Sequence, residues 1–182
     1  MSYKDYYKKY ISSINDILSD VDTDLIDSTV DLLKKKIDSN NTIYLAGNGG
    51  SSSIASHVSV DLVKIAKAKS QTFNESNLIT CFANDYGYEN WIKEAIKSNC
   101  VDDDLVILIS SSGQSQNIIN AAKFCSEKKI DLITFSGFDI NNPLLKMGKI
   151  NFHVNSTNYN FVEMAHHIIL VSIVDIFDKK NI

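Results

Sequence analysis

In Leu105-Val106-Ile107-Leu108-Ile109-Ser110-Ser111-Ser112-Gly113-Gln114-Ser115, five consecutive apolar residues run straight into a loop of four serines, a glycine and a glutamine. Hydrophobicity that is continuous rather than alternating predicts a strand covered on both faces. Crossover helices above and below a parallel sheet do this. Outward from this stretch the rhythm recurs, with short apolar runs at Thr42–Ala46, Leu78–Phe82, Leu132–Phe135 and Ile150–Val154, each separated by helical sequence. The pattern predicts a parallel α/β architecture. The only proline, Pro143, falls with Asn141 and Asn142 in a predicted loop, where its fixed φ is harmless.

Two helices precede the first strand. Apolar residues at Tyr3, Tyr6, Tyr7, Tyr10, Ile14, Ile17 and Leu18 give one helix a single apolar side. A second, capped by Asp22 or Thr23, runs through Leu25, Val30, Leu33 and Ile37 to a stop at Asn40-Asn41. The last predicted helix, Phe161 to Phe177, is apolar nearly all round, so one sheet cannot cover it. Its spare surface is expected to meet another subunit. The division expected is one domain over 1–182, with a helical arm at 1–40 and an α/β core with terminal helix at 41–182.

Composition narrows the class of function. Hydrophobic residues at 44% and charged residues at 22% suit a globular chain, and a net charge of −4 gives no general attraction to nucleic acid. Met1 to Tyr10 has no apolar core of a signal peptide, and no stretch reaches the roughly 18 apolar residues of a membrane span. A cytoplasmic location is expected, with Cys81, Cys100 and Cys125 as reduced thiols, since they are odd in number and widely spaced.

The loop Gly47-Asn48-Gly49-Gly50-Ser51-Ser52-Ser53 leaves a buried strand and enters a helix near Ser51. Its glycines let the backbone turn sharply and bring N–H groups close to a ligand, and a helix N-terminus favours an anion. The expected phosphate contacts are Asn48, Gly49, Gly50 and Ser51. The absence of a P-loop lysine argues against a nucleotide cofactor. The second loop offers Ser110, Ser111, Ser112 and Ser115, whose hydroxyls can donate to phosphate oxygens beside the free N–H groups of the next helix. The ligand implied is a small sugar phosphate.

Taken in order, Ala46-Gly47-Asn48-Gly49-Gly50-Ser51, His57, Ala83-Asn84-Asp85, Ser110-Ser111-Ser112-Gly113-Gln114-Ser115 and a terminal helix starting near Glu163 resemble the SIS (sugar isomerase) family, and within it the phosphoheptose isomerase branch. The resemblance implies a five-stranded parallel sheet between helices and a homotetramer with N-terminal and C-terminal helices between subunits. It implies conversion of sedoheptulose 7-phosphate to an aldoheptose 7-phosphate, feeding heptose synthesis for lipopolysaccharide or capsule. It also implies sugar-hydroxyl contacts from Asn84 and Asp85, expected in a loop after the second strand.

Moving a carbonyl between carbons 2 and 1 passes through an enediol and needs a base for a carbon-bound proton and a partner at the oxygens. His57 and Asp61 stand four apart and share a helical face. The resemblance makes Asp61, in place of the family's usual glutamate, the base. On the last helix the family's glutamine and catalytic histidine correspond to Glu163 and Val171. His167 lies on the face of Glu163 and Val171, with His166 turned away by about 100°, which makes His167 the candidate acid. His57, Asp61, Glu163 and His167 are together acceptable ligands for Zn²⁺, a metal the resemblance also allows. His153 reads as a core or edge residue. Because a histidine is missing at Val171, the competing reading is a non-catalytic member that binds a sugar phosphate or regulates a partner protein.

Overall fold

The computed structural model describes residues 1–178. Leu105, Ile107 and Ile109 face one core and Val106 and Leu108 the other, so the run is apolar throughout because both faces of its strand are covered. Two helices, α1 (Tyr3–Ser19) and α2 (Thr23–Asp38), precede β1 (Thr42–Gly47) and α3 (Gly50–Lys64). They are followed by β2 (Lys69–Thr72), α4 (Ser76–Tyr86), α5 (Trp91–Asn99), β3 (Leu105–Ser110) and α6 (Gln116–Lys128). The chain continues with β4 (Asp131–Gly137), β5 (Ile150–Val154) and α7 (Tyr159–Asp175). All strand pairs are parallel and the order is β2-β1-β3-β4-β5.

Helices α2, α3 and α7 cover one face of this sheet through Leu33, Val58, Leu62, Val162 and Ile169. Helices α5 and α6 cover the other through Trp91, Ile96, Ile118 and Ala122, with α4 packed alongside by Leu78 and Phe82. Within 1–40, α2 is built into the core, whereas α1 buries only Ile14. The chain leaves β1 for β2 on one side and β3 for β4 on the other. The crevice between the C-terminal ends of β1 and β3 is therefore a topological switch point, the usual ligand position in such sheets.

One predicted strand is wrong. Leu78–Phe82 lies inside α4, and the second strand is Lys69-Ser70-Gln71-Thr72. That strand is at the sheet edge, paired only with β1 and partly solvated, so nothing requires it to be apolar. Leu78, Ile79, Phe82 and Ala83 instead repeat at helical spacing and pack on the α5–α6 core. Asn84 and Asp85 are accordingly at the end of α4 rather than in a loop after a strand. Pro143 opens a single 3₁₀ turn, Pro143–Lys146, where its missing N–H costs nothing. Of the thiols, Cys125 is buried, Cys100 half-buried and Cys81 exposed, all unbridged.

His166 is fully buried on α7 and its Nε2 lies 3.0 Å from the Ser136 carbonyl oxygen, to which it donates in the neutral ring. Burial pushes its pKa from 6.5 down to about 4. The bond to Ser136 opposes the shift and the nearby His153 adds to it. The folded state thus binds fewer protons than the unfolded state between those values, and stability falls as pH is lowered through that window. About 2 kcal/mol should be lost between pH 6.5 and 5 from this group alone. Urea midpoints at pH 7 and 5 should show that slope shrinking in His166→Gln; an equal slope in both proteins would remove His166 as its cause.

Candidate active site

Two helix ends converge at the switch point. β1 ends at Gly47, turns through Gly49 at φ +54°, and enters α3 with no side-chain cap on its leading N–H groups. β3 ends at Ser110 and enters α6 after Ser115, whose side chain makes no cap bond, which leaves the N–H groups of Gln116 and Asn117 without a side-chain acceptor. Orphan N–H groups at both starts point toward the same crevice, and both helix dipoles present their positive ends there.

Asn48, Ser51, Ile109, Ser110, Ser111, Ser112, Ser115, Tyr159 and Glu163 line a cavity of about 110 Å³ between them. Six predicted phosphate contacts are therefore brought together, and Gly49 and Gly50 form the turn beside them. Ser111 is buried and its hydroxyl has no hydrogen-bond partner. A buried hydroxyl left unpaired costs stability, so at the cavity wall it is a donor available to a ligand. No lysine lines the cavity, and the chain contains no arginine. The donors are neutral hydroxyls and helix ends, suited to one phosphate group rather than a polyphosphate.

Glu163 reaches this cavity from the first turns of α7. Its carboxylate rests so close to the start of α3 that a Cβ on Gly50 would lie 2.2 Å from Oε2. A side chain at position 50 would therefore displace the Glu163 carboxylate from the start of α3. Tyr159, the first residue of α7, also lines the cavity and had no signal in the sequence beyond its place before Glu163.

One turn beyond Glu163 on α7, His167 Nε2 lies 2.7 Å from His57 Nδ1 on α3, and His57 Nε2 lies 3.1 Å from Asp61 Oδ2. An ionised carboxylate only accepts, so His57 carries a proton on Nε2. With both rings neutral, His57 Nδ1 then accepts from His167 Nε2–H, which leaves His167 Nδ1 as a free lone pair. Burial lowers the His167 pKa, the adjacent His57 ring lowers it further, and the Asp61 carboxylate opposes both. His57 is half-exposed and Asp61 less so. His166 points away, into the core, as the helical geometry requires. Val171 packs against the apolar core.

The donor types suit Zn²⁺, but both ring nitrogens of His57 are engaged by His167 and Asp61. The two histidine nitrogens are hydrogen-bonded to one another, closer than two ligands of one tetrahedral ion would stand. Among the described residues no three His, Cys, Asp or Glu side chains form a metal-holding group. Glu163 faces the cavity between the two helix starts instead. In this arrangement the four residues do not form a zinc cage.

Asn84 and Asp85 are exposed, bonded to each other at 2.9 Å, and do not line the cavity. Behind the cavity the Asn48 and Asn117 amides pair reciprocally, Asn48 Nδ2 donating to Asn117 Oδ1 at 3.0 Å and Asn117 Nδ2 to Asn48 Oδ1 at 2.9 Å. The Tyr88 hydroxyl adds a bond to Asn48 Oδ1 at 3.2 Å.

A family model described as SIS domain matches residues 6–137. The chain is 34% identical over 116 residues to phosphoheptose isomerase 2 of Campylobacter jejuni, covering 60% of this chain and 57% of that protein. It is also 34% identical over 144 residues to phosphoheptose isomerase of Aneurinibacillus thermoaerophilus, covering 73% of each. A solved phosphoheptose isomerase from Francisella tularensis shares the fold, with a TM-score of 0.87 at 21% identity over 99% of this chain and 100% of that one.

Proposed function

Because the chain belongs to the SIS domain family, we propose that it is an aldose–ketose isomerase converting sedoheptulose 7-phosphate to an aldoheptose 7-phosphate through an enediol. The observation that carries this reading is the distance between its two polar centres. From Ser51 at the phosphate cavity to His57 is six residues of α3, about 9 Å along the helix axis. A phosphate held at the start of α3 places the far end of an extended seven-carbon chain beside Asp61, His57 and His167, whereas a three-carbon sugar would fall short.

Asp61 accepts the carbon-bound proton at carbon 1 on the carboxylate oxygen not engaged by His57 and returns it to carbon 2. His167, neutral near pH 7 because burial and His57 disfavour its charge, moves protons between the two sugar oxygens through Nδ1. His57 holds both partners in place. Glu163, over the start of α3, is placed to bind sugar hydroxyls and is the next candidate base. Wild-type protein incubated with sedoheptulose 7-phosphate in D₂O should introduce deuterium at carbon 1. No exchange would favour the non-catalytic binding reading.

Ser111→Ala should weaken phosphate binding by about 1.5 to 3 kcal/mol, one hydrogen bond to a charged group. Because its hydroxyl is unpaired in the protein alone, the same change should leave thermal stability unchanged or slightly higher. Calorimetry and melting curves together decide the point: unchanged affinity would take Ser111 out of the site.

The product would serve cytoplasmic heptose synthesis for surface polysaccharide. Among the described residues no helix is long and apolar enough to cross a membrane. A homotetramer is supported by exposed apolar side chains around the His57–His167 pair, namely Val60 and Val63 on α3 with Met164 and Ile168 on α7. Tyr3, Tyr6 and Tyr7 on α1 are exposed as well. Light scattering at micromolar concentration should give a multiple of the 20.3 kDa chain mass; a monomer would end this part of the reading.

A further inference from the structure

We infer that Asn117 is a positioning residue that fixes the separation of the two phosphate-binding helix ends, an inference that rests on the phosphate-site reading above. The ladder between β1 and β3 ends at the pair Gly47 and Ile109. Beyond it the chain departs to opposite faces of the sheet, α3 on one and α6 on the other. Among the described residues, the only side-chain hydrogen bonds joining 47–53 to 110–117 are the two of the Asn48–Asn117 amide pair.

The orientation of that pair is forced. Asn117 Oδ1 also accepts from the backbone N–H of Ile118 at 3.0 Å, which identifies it as the oxygen. Asn48 must then present Nδ2 to it, and Asn48 Oδ1 receives Asn117 Nδ2 and the Tyr88 hydroxyl. Asn117 is 2% exposed and does not line the cavity, whereas Asn48 does. Asn117 therefore acts through Asn48. It ties the first turn of α6 to the residue before the N-cap of α3, and a single tetrahedral phosphate needs donors from both ends at one spacing. Its neutrality matters too, because a carboxylate in its place would turn an oxygen toward Asn48 Oδ1 behind an anion site.

The phosphate is not the reacting part of the substrate, so loosening its cradle weakens ground state and transition state together. Such a change raises KM and leaves kcat nearly unchanged. Asn117→Ala should raise KM for sedoheptulose 7-phosphate and the Kd for inorganic phosphate each by about tenfold, with kcat within about threefold. Asn117→Asp should do the same or more. Asn117→Ser provides a smaller change should the alanine variant fold poorly. The double variant with Asn48→Ala should be no worse than the worse single change, since either one breaks the same pair.

A folded Asn117 variant with unchanged KM and phosphate Kd, or factors that multiply in the double variant, would overturn the inference. A wild type that binds phosphate but does not turn over the sugar sinks the isomerase reading alone. In that case a loss of phosphate affinity in the Asn117 variants still supports the positioning role. A wild type that binds no phosphate removes both.

Discussion

Asp61→Asn is expected to remove measurable turnover of sedoheptulose 7-phosphate while leaving phosphate binding nearly intact. The amide keeps the shape of the carboxylate but cannot take a carbon-bound proton, and the phosphate cavity lies ten residues, about 15 Å, back along α3. A second effect acts in the same direction. The carboxylate fixes the proton of His57 on Nε2, and an amide that can donate or accept leaves that choice open. His57 Nδ1 and His167 Nε2 then lose their assigned roles of acceptor and donor. His167→Gln should cost about 10²- to 10⁴-fold, the usual span of one acid–base group. If the three residues work as one chain, the double variant should be scarcely worse than Asp61→Asn alone.

Deuterium incorporation into the sugar is the measurement that separates the outcomes, since it registers the enediol even when net conversion is slow. Exchange that persists in Asp61→Asn would move the base to Glu163, the other carboxylate within reach of the cavity. The pH dependence carries its own sign. The neutral ring of His167 is favoured in the folded protein, so kcat/KM should hold as pH falls toward the ordinary histidine range and decline only below it. A decline beginning above that range would implicate a group other than His167.

What could be read in the sequence follows burial. β3 was legible because both of its faces are covered and every residue from Leu105 to Ile109 had to be apolar. β2 was not, because an edge strand answers to one neighbour, and Lys69-Ser70-Gln71-Thr72 carries no pattern to find. The phosphate loops were legible for a related reason. A glycine-rich turn alone is a weak signal, but four serines at a second strand-to-helix junction exceed what capping requires, and the eight named positions frame or line one cavity. His167 could be selected over His166 from helical geometry once the family resemblance had marked the face of Glu163 and Val171. Its contact with His57 could not, since that depends on how α7 lies along α3. Asn117 had no signal either. In the sequence it is one polar residue at a helix start, and only the packing of two loops gives it a partner.

Gly113→Ala is expected to be the most damaging single change at the phosphate site, with loss of both phosphate binding and stability. Gly113 sits at φ +62°, where an alanine pays roughly 1 to 2 kcal/mol in backbone strain. A Cβ there would lie 2.0 Å from Asn142 Oδ1 and 2.9 Å from Asn142 Cβ, so a change of rotamer alone does not clear it. Asn142 is itself buried, and its Nδ2 donates to Ser136 Oγ at 3.2 Å, to the Gly137 carbonyl at 3.2 Å and to the Asp139 carbonyl at 2.8 Å. Its Oδ1 accepts from Leu145 N–H at 3.1 Å. Pushing this side chain aside leaves buried polar groups unpaired, at about 1 to 3 kcal/mol. The sum, about 2 to 5 kcal/mol, should appear as a lower urea midpoint. The alternative is that the loop moves rather than Asn142, carrying Ser111 and Ser112 out of the cavity. Stability is then largely kept and phosphate affinity alone collapses. Melting curves and phosphate calorimetry on the same variant distinguish the two routes, and a protein unchanged in both would show that the contact between Gly113 and Asn142 does not hold the loop.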